Sequence, residues 1–162
     1  MSSFDRRTLL ILPLALAACG FSPTLAPGTA AAGLIGKIRA ADPTDKAGYD
    51  FVAALEARLG RPASPLYDLA YTIRTKAIGV GITPEGAILR YHLTGSLDWT
   101  LTRRSDGQRV TGGLAESFTA YSATGTTVAT LAAQSDAEAR LMTILADQIA
   151  LRLQSTASAW AS

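Results

Sequence analysis

Residues 89–101 alternate with a period of two. Leu89, Tyr91, Leu93, Leu97, Trp99 and Leu101 fall on one side, and Arg90, His92, Thr94, Ser96, Asp98, Thr100 and then Thr102 fall on the other. Alternation over 13 residues specifies a strand with one face in a core and the other in water. Gly95 stands on the apolar side, where it marks either a bulge or the close approach of a helix. A strand this long cannot stand alone. It needs neighbours for its hydrogen bonds and a second layer over its apolar face.

Both neighbours can be read nearby. Tyr67, Leu69, Tyr71 and Ile73 alternate with Asp68, Ala70, Thr72 and Arg74, which predicts a preceding strand. Ser105-Asp106-Gly107 supplies hairpin-turn chemistry, and a third strand is expected over about Gln108–Tyr121, carrying Val110, Leu114, Phe118 and Tyr121. Gly79–Gly86 reads as the connection between the first two strands. It is glycine-rich, but it lacks the Gly-Lys-Ser/Thr and the following helix of a phosphate loop. Leu34–Arg39 is a short strand candidate.

The covering layer comes from two helices. Asp42-Pro43-Thr44-Asp45 offers capping oxygens, Phe51, Val52, Leu55 and Leu59 recur at helical spacing, and Gly60 with Pro62 stops the run. The first helix is expected over 45–59. The second extends from Val128 to Leu153, with Leu131, Leu141, Met142, Leu145 and Ile149 repeating at three and four residues. The order β-α-β-β-β-α predicts an α+β two-layer sandwich: a mixed sheet of about four strands with two helices packed on one face.

The N-terminus is separate from that domain. Arg6 and Arg7 precede the apolar run Leu9–Leu16, which ends in Ala17-Ala18-Cys19, with Cys19 the only cysteine. This is the build of a secretory signal peptide, and the run is too short to span a bilayer. Leu16-Ala17-Ala18-Cys19 resembles the bacterial lipobox, which implies thioether lipidation of Cys19 and cleavage before it. Gly20, in place of Asp, implies sorting to the outer membrane, periplasmic side. Ser3–Leu10 also loosely resembles a twin-arginine export signal, so the export route stays open. The expected organisation is signal peptide 1–18, lipidated tether 19–33 rich in Pro, Gly, Ala and Thr, domain 34–155 and tail 156–162. Two or three acyl chains hold such a chain on a membrane, with each buried methylene adding about 0.8 kcal/mol.

Charge gives no strong field. Without residues 1–18 the chain keeps 13 basic and 12 acidic residues, which argues against nucleic acid as a partner. His92 is the only histidine, and no CxxC or paired-His spacing exists, so no metal site or cofactor is expected. His92, Ser96 and Asp98 share a strand face, and a small hydrolase built on them is a remote alternative. Arg74 and Lys76 on one strand, Arg90 on the next and Arg104 by the hairpin form a basic grouping without matching acids. Guanidinium and ammonium groups there suit the phosphates of an anionic glycolipid. The same charges equally serve to keep a soluble sheet from pairing with others.

Three stretches together resemble a known family. Cys19-Gly20-Phe21-Ser22-Pro23 is similar to the CGF-x-P opening of the LptE lipopolysaccharide-assembly lipoproteins. Ser117–Ser122 resembles the end of that family's last strand. Thr130–Leu141, Leu145–Ile149 and Arg152-Leu153 resemble its C-terminal helix. The resemblance implies a non-enzymatic outer-membrane lipoprotein that sits in the β-barrel translocon LptD and accompanies lipopolysaccharide to the outer leaflet. It carries Cys19 over as the lipidation site. Arg74, Lys76, Arg90 and Arg104 are then expected to meet lipopolysaccharide phosphates or the barrel wall. An auxiliary lipoprotein of a periplasmic lipid-transport system is the alternative.

Overall fold

The computed structural model describes residues 26–84 and 86–161; Cys19, the lipobox and the rest of the leader lie outside the described residues. The sheet contains β1 (Ile38–Ala40), β2 (Tyr67–Ile82), β3 (Ile88–Arg103) and β4 (Arg109–Ser122) in the order β1-β2-β3-β4. The first pair is parallel and the other two are antiparallel. Two helices, α1 (Lys46–Leu59) and α2 (Thr127–Trp160), pack on one face. This is the α+β mixed sheet that the alternating segment called for.

Local chemistry sets the helix ends. Asp45 accepts the Gly48 N–H at 2.7 Å, and Gly60 leaves α1 at φ 76°, a backbone state open to glycine. At α2 the Thr126 side chain accepts the Ala129 N–H at 3.3 Å. Beneath the helices lie Leu93, Leu97, Trp99 and Leu101 of β3, none more than 3% exposed. Burying each such side chain stabilises the fold by about 1.5–3 kcal/mol. They pack against Leu141, Met142, Leu145, Ile149 and Leu153 of α2 and Phe51, Leu55 and Leu59 of α1. Gly95 marks the close helix approach: a Cβ there would lie 2.8 Å from Leu141 Cδ2 and 3.4 Å from Leu145 Cδ1. Any larger residue would have to displace Leu141.

Element lengths decide what remains open. The 34 residues of α2 extend about 51 Å, and the 16 residues of β3 about 53 Å, so the helix runs the length of its strand. The 14 residues of α1 reach only about 21 Å. α1 therefore covers the beginning of β2, where Phe51 meets Tyr71 at 4.8 Å between ring centroids. Beyond Ile73 the helix-side residues Thr75 and Ala77 are exposed.

Four sequence expectations need correction. Gly79–Ile82 is strand, not linker: β2 continues through a register shift at Gly79/Gly81 before turning. Leu34 belongs to a 3-10 turn (Ala32–Leu34) and β1 begins at Ile38; Ala31, inside the expected tether 19–33, is buried along with Leu34, so that end of the tether is docked in the core. Leu114 and Phe118 point out of the core, 48% and 63% exposed, because β4 buries its odd-numbered residues Ala115, Thr119 and Tyr121. The C-terminal stretch is no frayed tail. α2 continues to Trp160, whose ring meets Tyr67 edge-on at 5.2 Å and whose Nε1 donates to Thr156 Oγ1 at 3.0 Å.

Candidate functional site

The face of the sheet turned away from the helices is built by strand alternation alone. Register places side chains of β2, β3 and β4 in rows: Thr72–Asp98–Leu114, Arg74–Ser96–Glu116, Lys76–Thr94–Phe118 and Ile78–His92–Ala120. No element covers these rows among the described residues. Arg74, Lys76, Thr94, Ser96, Glu116 and Phe118 line a shallow depression of about 480 Å³. Its lining combines charged and hydroxyl side chains with apolar surface and one aromatic residue, Phe118.

Only two of the four predicted basic residues come together. Arg74 and Lys76 come together on β2 at the depression. Arg90 lies near the far end of β3 and Arg104 beyond its near end, a distance of about 46 Å along the strand. Nor are all four without acids, as the sequence suggested. Arg74 Nη1 binds Asp98 Oδ2 at 2.8 Å, and Arg104 Nε binds Asp68 Oδ2 at 3.2 Å. Both pairs are cross-strand, so only the register reveals them. Lys76 and Arg90 form no ion pair among the described residues. Of the four predicted basic residues these two are the unpaired cations, and Glu116 beside the depression is likewise in no ion pair among the described residues.

The face also carries apolar groups that sequence reasoning missed. Phe118 packs against His92 with ring centroids 5.7 Å apart, and Leu114, Ile78 and Val80 are exposed alongside. The signal existed: Leu114, Glu116 and Phe118 share one parity, opposite to that of Tyr121. Around a phosphate-bearing lipid such a surface offers both cations and apolar contact.

The geometry does not assemble a hydrolase. Asp98 is engaged with Arg74, the His92 ring lies on Phe118, and His92 and Ser96 are four residues apart on one strand, about 13 Å. That is far beyond proton-transfer reach. No group of three or more metal-ligating side chains occurs among the described residues, and none of their helices is long and apolar enough to cross a membrane. The perturbed titrations lie elsewhere. Burial, with Asp45 and Asp42 nearby, raises the pKa of Tyr71, whose buried hydroxyl has no hydrogen-bond partner among the described residues. The Arg58 guanidinium holds Asp147 below the ordinary carboxylate range.

Fold and face together define a class: a small α+β module with one sheet side sealed by helices and the other free to bind. Within that class the chain can be placed. Residues 37–153 match the family model "LptE: Lipopolysaccharide-assembly", and the chain belongs to that family of lipopolysaccharide-assembly lipoproteins. Solved structures show the same fold. A chain described as a lipoprotein from Caulobacter crescentus CB15 is 24% identical with a TM-score of 0.67, the match covering 80% of this chain and 96% of that one. Rare lipoprotein B from Shewanella oneidensis is 17% identical with a TM-score of 0.53, over 76% and 93%. A minor lipoprotein from Acinetobacter baumannii is 18% identical with a TM-score of 0.52, over 74% and 90%. No curated protein sequence matches the chain.

Proposed function

We propose that this chain is an outer-membrane lipoprotein, anchored through Cys19 on the periplasmic side, that plugs and helps assemble an LptD-like β-barrel for lipopolysaccharide transport. It carries no reaction of its own. The observation that bears the proposal is the one-sided sheet: long strands, covered by helices behind except along the far half of β2, presenting mostly polar rows in front. The lumen of a transmembrane barrel is polar, and a wedge with a polar face suits it. Anchoring at the inner leaflet raises the local concentration of the lipoprotein near a barrel partner. In this reading Lys76 and Arg90 supply free cations, and Arg74 and Arg104 supply cations already balanced by acids. All four are candidates for lipopolysaccharide phosphates or the barrel wall.

The test is purification of the C-terminally tagged, lipidated protein from outer membranes. A stoichiometric large β-barrel is expected, and an inner-membrane transporter in its place would favour a transport-auxiliary role. Reversing all four basic residues to Glu is expected to lower surface lipopolysaccharide or recovery of the complex. If neither changes, these residues lose their assigned role.

A further inference from the structure

The two edges of the sheet are treated differently. Along β4, α2 supplies hydrogen bonds to the outward carbonyls: Gln148 Nε2 donates to Glu116 O and Arg140 Nη2 to Ala120 O, each at 3.3 Å. Along β2, β1 covers only Tyr67–Leu69. Among the described residues, the strand from Ala70 to Ile82 has a neighbour on one side only. The direction of its free groups follows from the covered part. The Tyr67 N–H donates to Lys37 O and Leu69 O accepts from the Ala41 N–H, so odd-numbered residues turn their backbone groups outward. Tyr71, Ile73, Thr75 and Ala77 therefore offer an unmet ladder to the solvent.

A long, unpaired and unbulged edge invites another strand. We propose that β2, from Tyr71 to Ala77, receives an extended segment of a different polypeptide, with carboxylates on the side of Arg74 and Lys76 and apolar residues on the other side. Charge selects this occupant. Between Leu69 and Ile82 there is no Asp or Glu. An antiparallel pairing of two copies centred on Thr75 would set Arg74 against Lys76 twice, and like charges directly opposite repel. Arg74 is already held by Asp98 at 2.8 Å, so Lys76 is the charge on offer. On the helix side, Thr75 and Ala77 are left uncovered where α1 stops short, and small apolar side chains fit over them. The inference does not depend on the partner being a barrel.

The experiment uses the full-length lipidated protein in detergent and a fluorescein-labelled heptapeptide of alternating Val and Glu, followed by anisotropy. Saturable binding is expected. A Val/Lys heptapeptide, which sets like charges against Lys76, and the Val/Glu peptide N-methylated on its pairing amides, which loses ladder hydrogen bonds, should each bind at least roughly tenfold more weakly. Ala77→Pro removes an outward N–H and should abolish binding without lowering the melting temperature; Lys76→Glu should narrow or reverse the peptide preference. Absence of saturable binding, or equal affinity for the N-methylated peptide, overturns the proposal without recourse to any variant. A protein dimer dispersed by Ala77→Pro also overturns it, because a second copy would then fill the edge.

Discussion

The two halves of β2 share a strand and differ in almost everything else. From Tyr67 to Ile73 the helix side is buried or half-buried, β1 guards the first residues, and Phe51 closes over Tyr71. From Thr75 to Ile82 the helix side is largely open, the outer edge is bare, and Ile78, Val80 and Ile82 are 44%, 47% and 64% exposed. The cause is the short α1. An edge segment bonded on one side only and left uncovered by a helix contributes less to stability than a packed one, so the near half holds the fold together and the far half is open to another molecule. Stability and binding are assigned to different ends of one sheet.

That division predicts mutational effects that fall off from the near half outward. Leu97→Ala, at a side chain with no exposure, should cost about 2–5 kcal/mol in denaturant melts, whereas Val80→Ala should stay within about 0.5 kcal/mol. Equal costs would erase the distinction. Gly95→Val should cost about 1–3 kcal/mol by forcing Leu141 and Leu145 away, and Ala77→Val in the open half should be close to neutral. Thr119→Val removes the buried bond from Oγ1 to Ala137 O, 3.0 Å long, that ties β4 to α2; a loss of about 1 kcal/mol is expected.

The smallest effect belongs to a surface pair. Arg58 Nε binds Asp147 Oδ1 at 2.6 Å and joins the two helices. Because Arg58 lowers the Asp147 pKa, the stabilisation is full above the ordinary carboxylate value and is lost as the pH falls through the lowered one. Asp147→Asn should therefore melt slightly earlier than the parent at pH 7, and the gap should close in acid. A gap independent of pH would mean that the pair acts through packing instead.

How much of this was legible in the sequence depended on burial asymmetry. Leu89–Leu101 announced itself because from Leu93 to Leu101 one side is sealed and the other wet, although Leu89 at its start is 41% exposed. Asp45 and Gly60 marked α1 through capping chemistry, and Gly95 through its place among large apolar residues. The far part of β2 did not read as strand: with neither side sealed, Gly79-Val80-Gly81-Ile82 shows no contrast and resembles a loop. The end of α2 was hidden by composition, since Ser and Ala carry little hydrophobic signal, although Leu153, Ala157 and Trp160 keep helical spacing. At the candidate site the basic residues were visible. Their acid partners Asp68 and Asp98 were not, because pairing across strands depends on a register that no local pattern states. Phe118 was visible but was assigned to the wrong side, as Val110, Leu114 and Phe118 differ in parity from Tyr121.

The central claim is that a partner covers the open half of the sheet. Amide hydrogen exchange on the lipoprotein, free and in the complex recovered from outer membranes, tests it directly. In the free protein, the outward amides of Thr75 and Ala77 should exchange fast while those of Leu97 and Leu101 exchange slowly. In the complex, Thr75 and Ala77 should become protected and the near half should change little. Unchanged exchange at Thr75 and Ala77, with new protection confined to α1 or the outer surface of α2, would contradict the account.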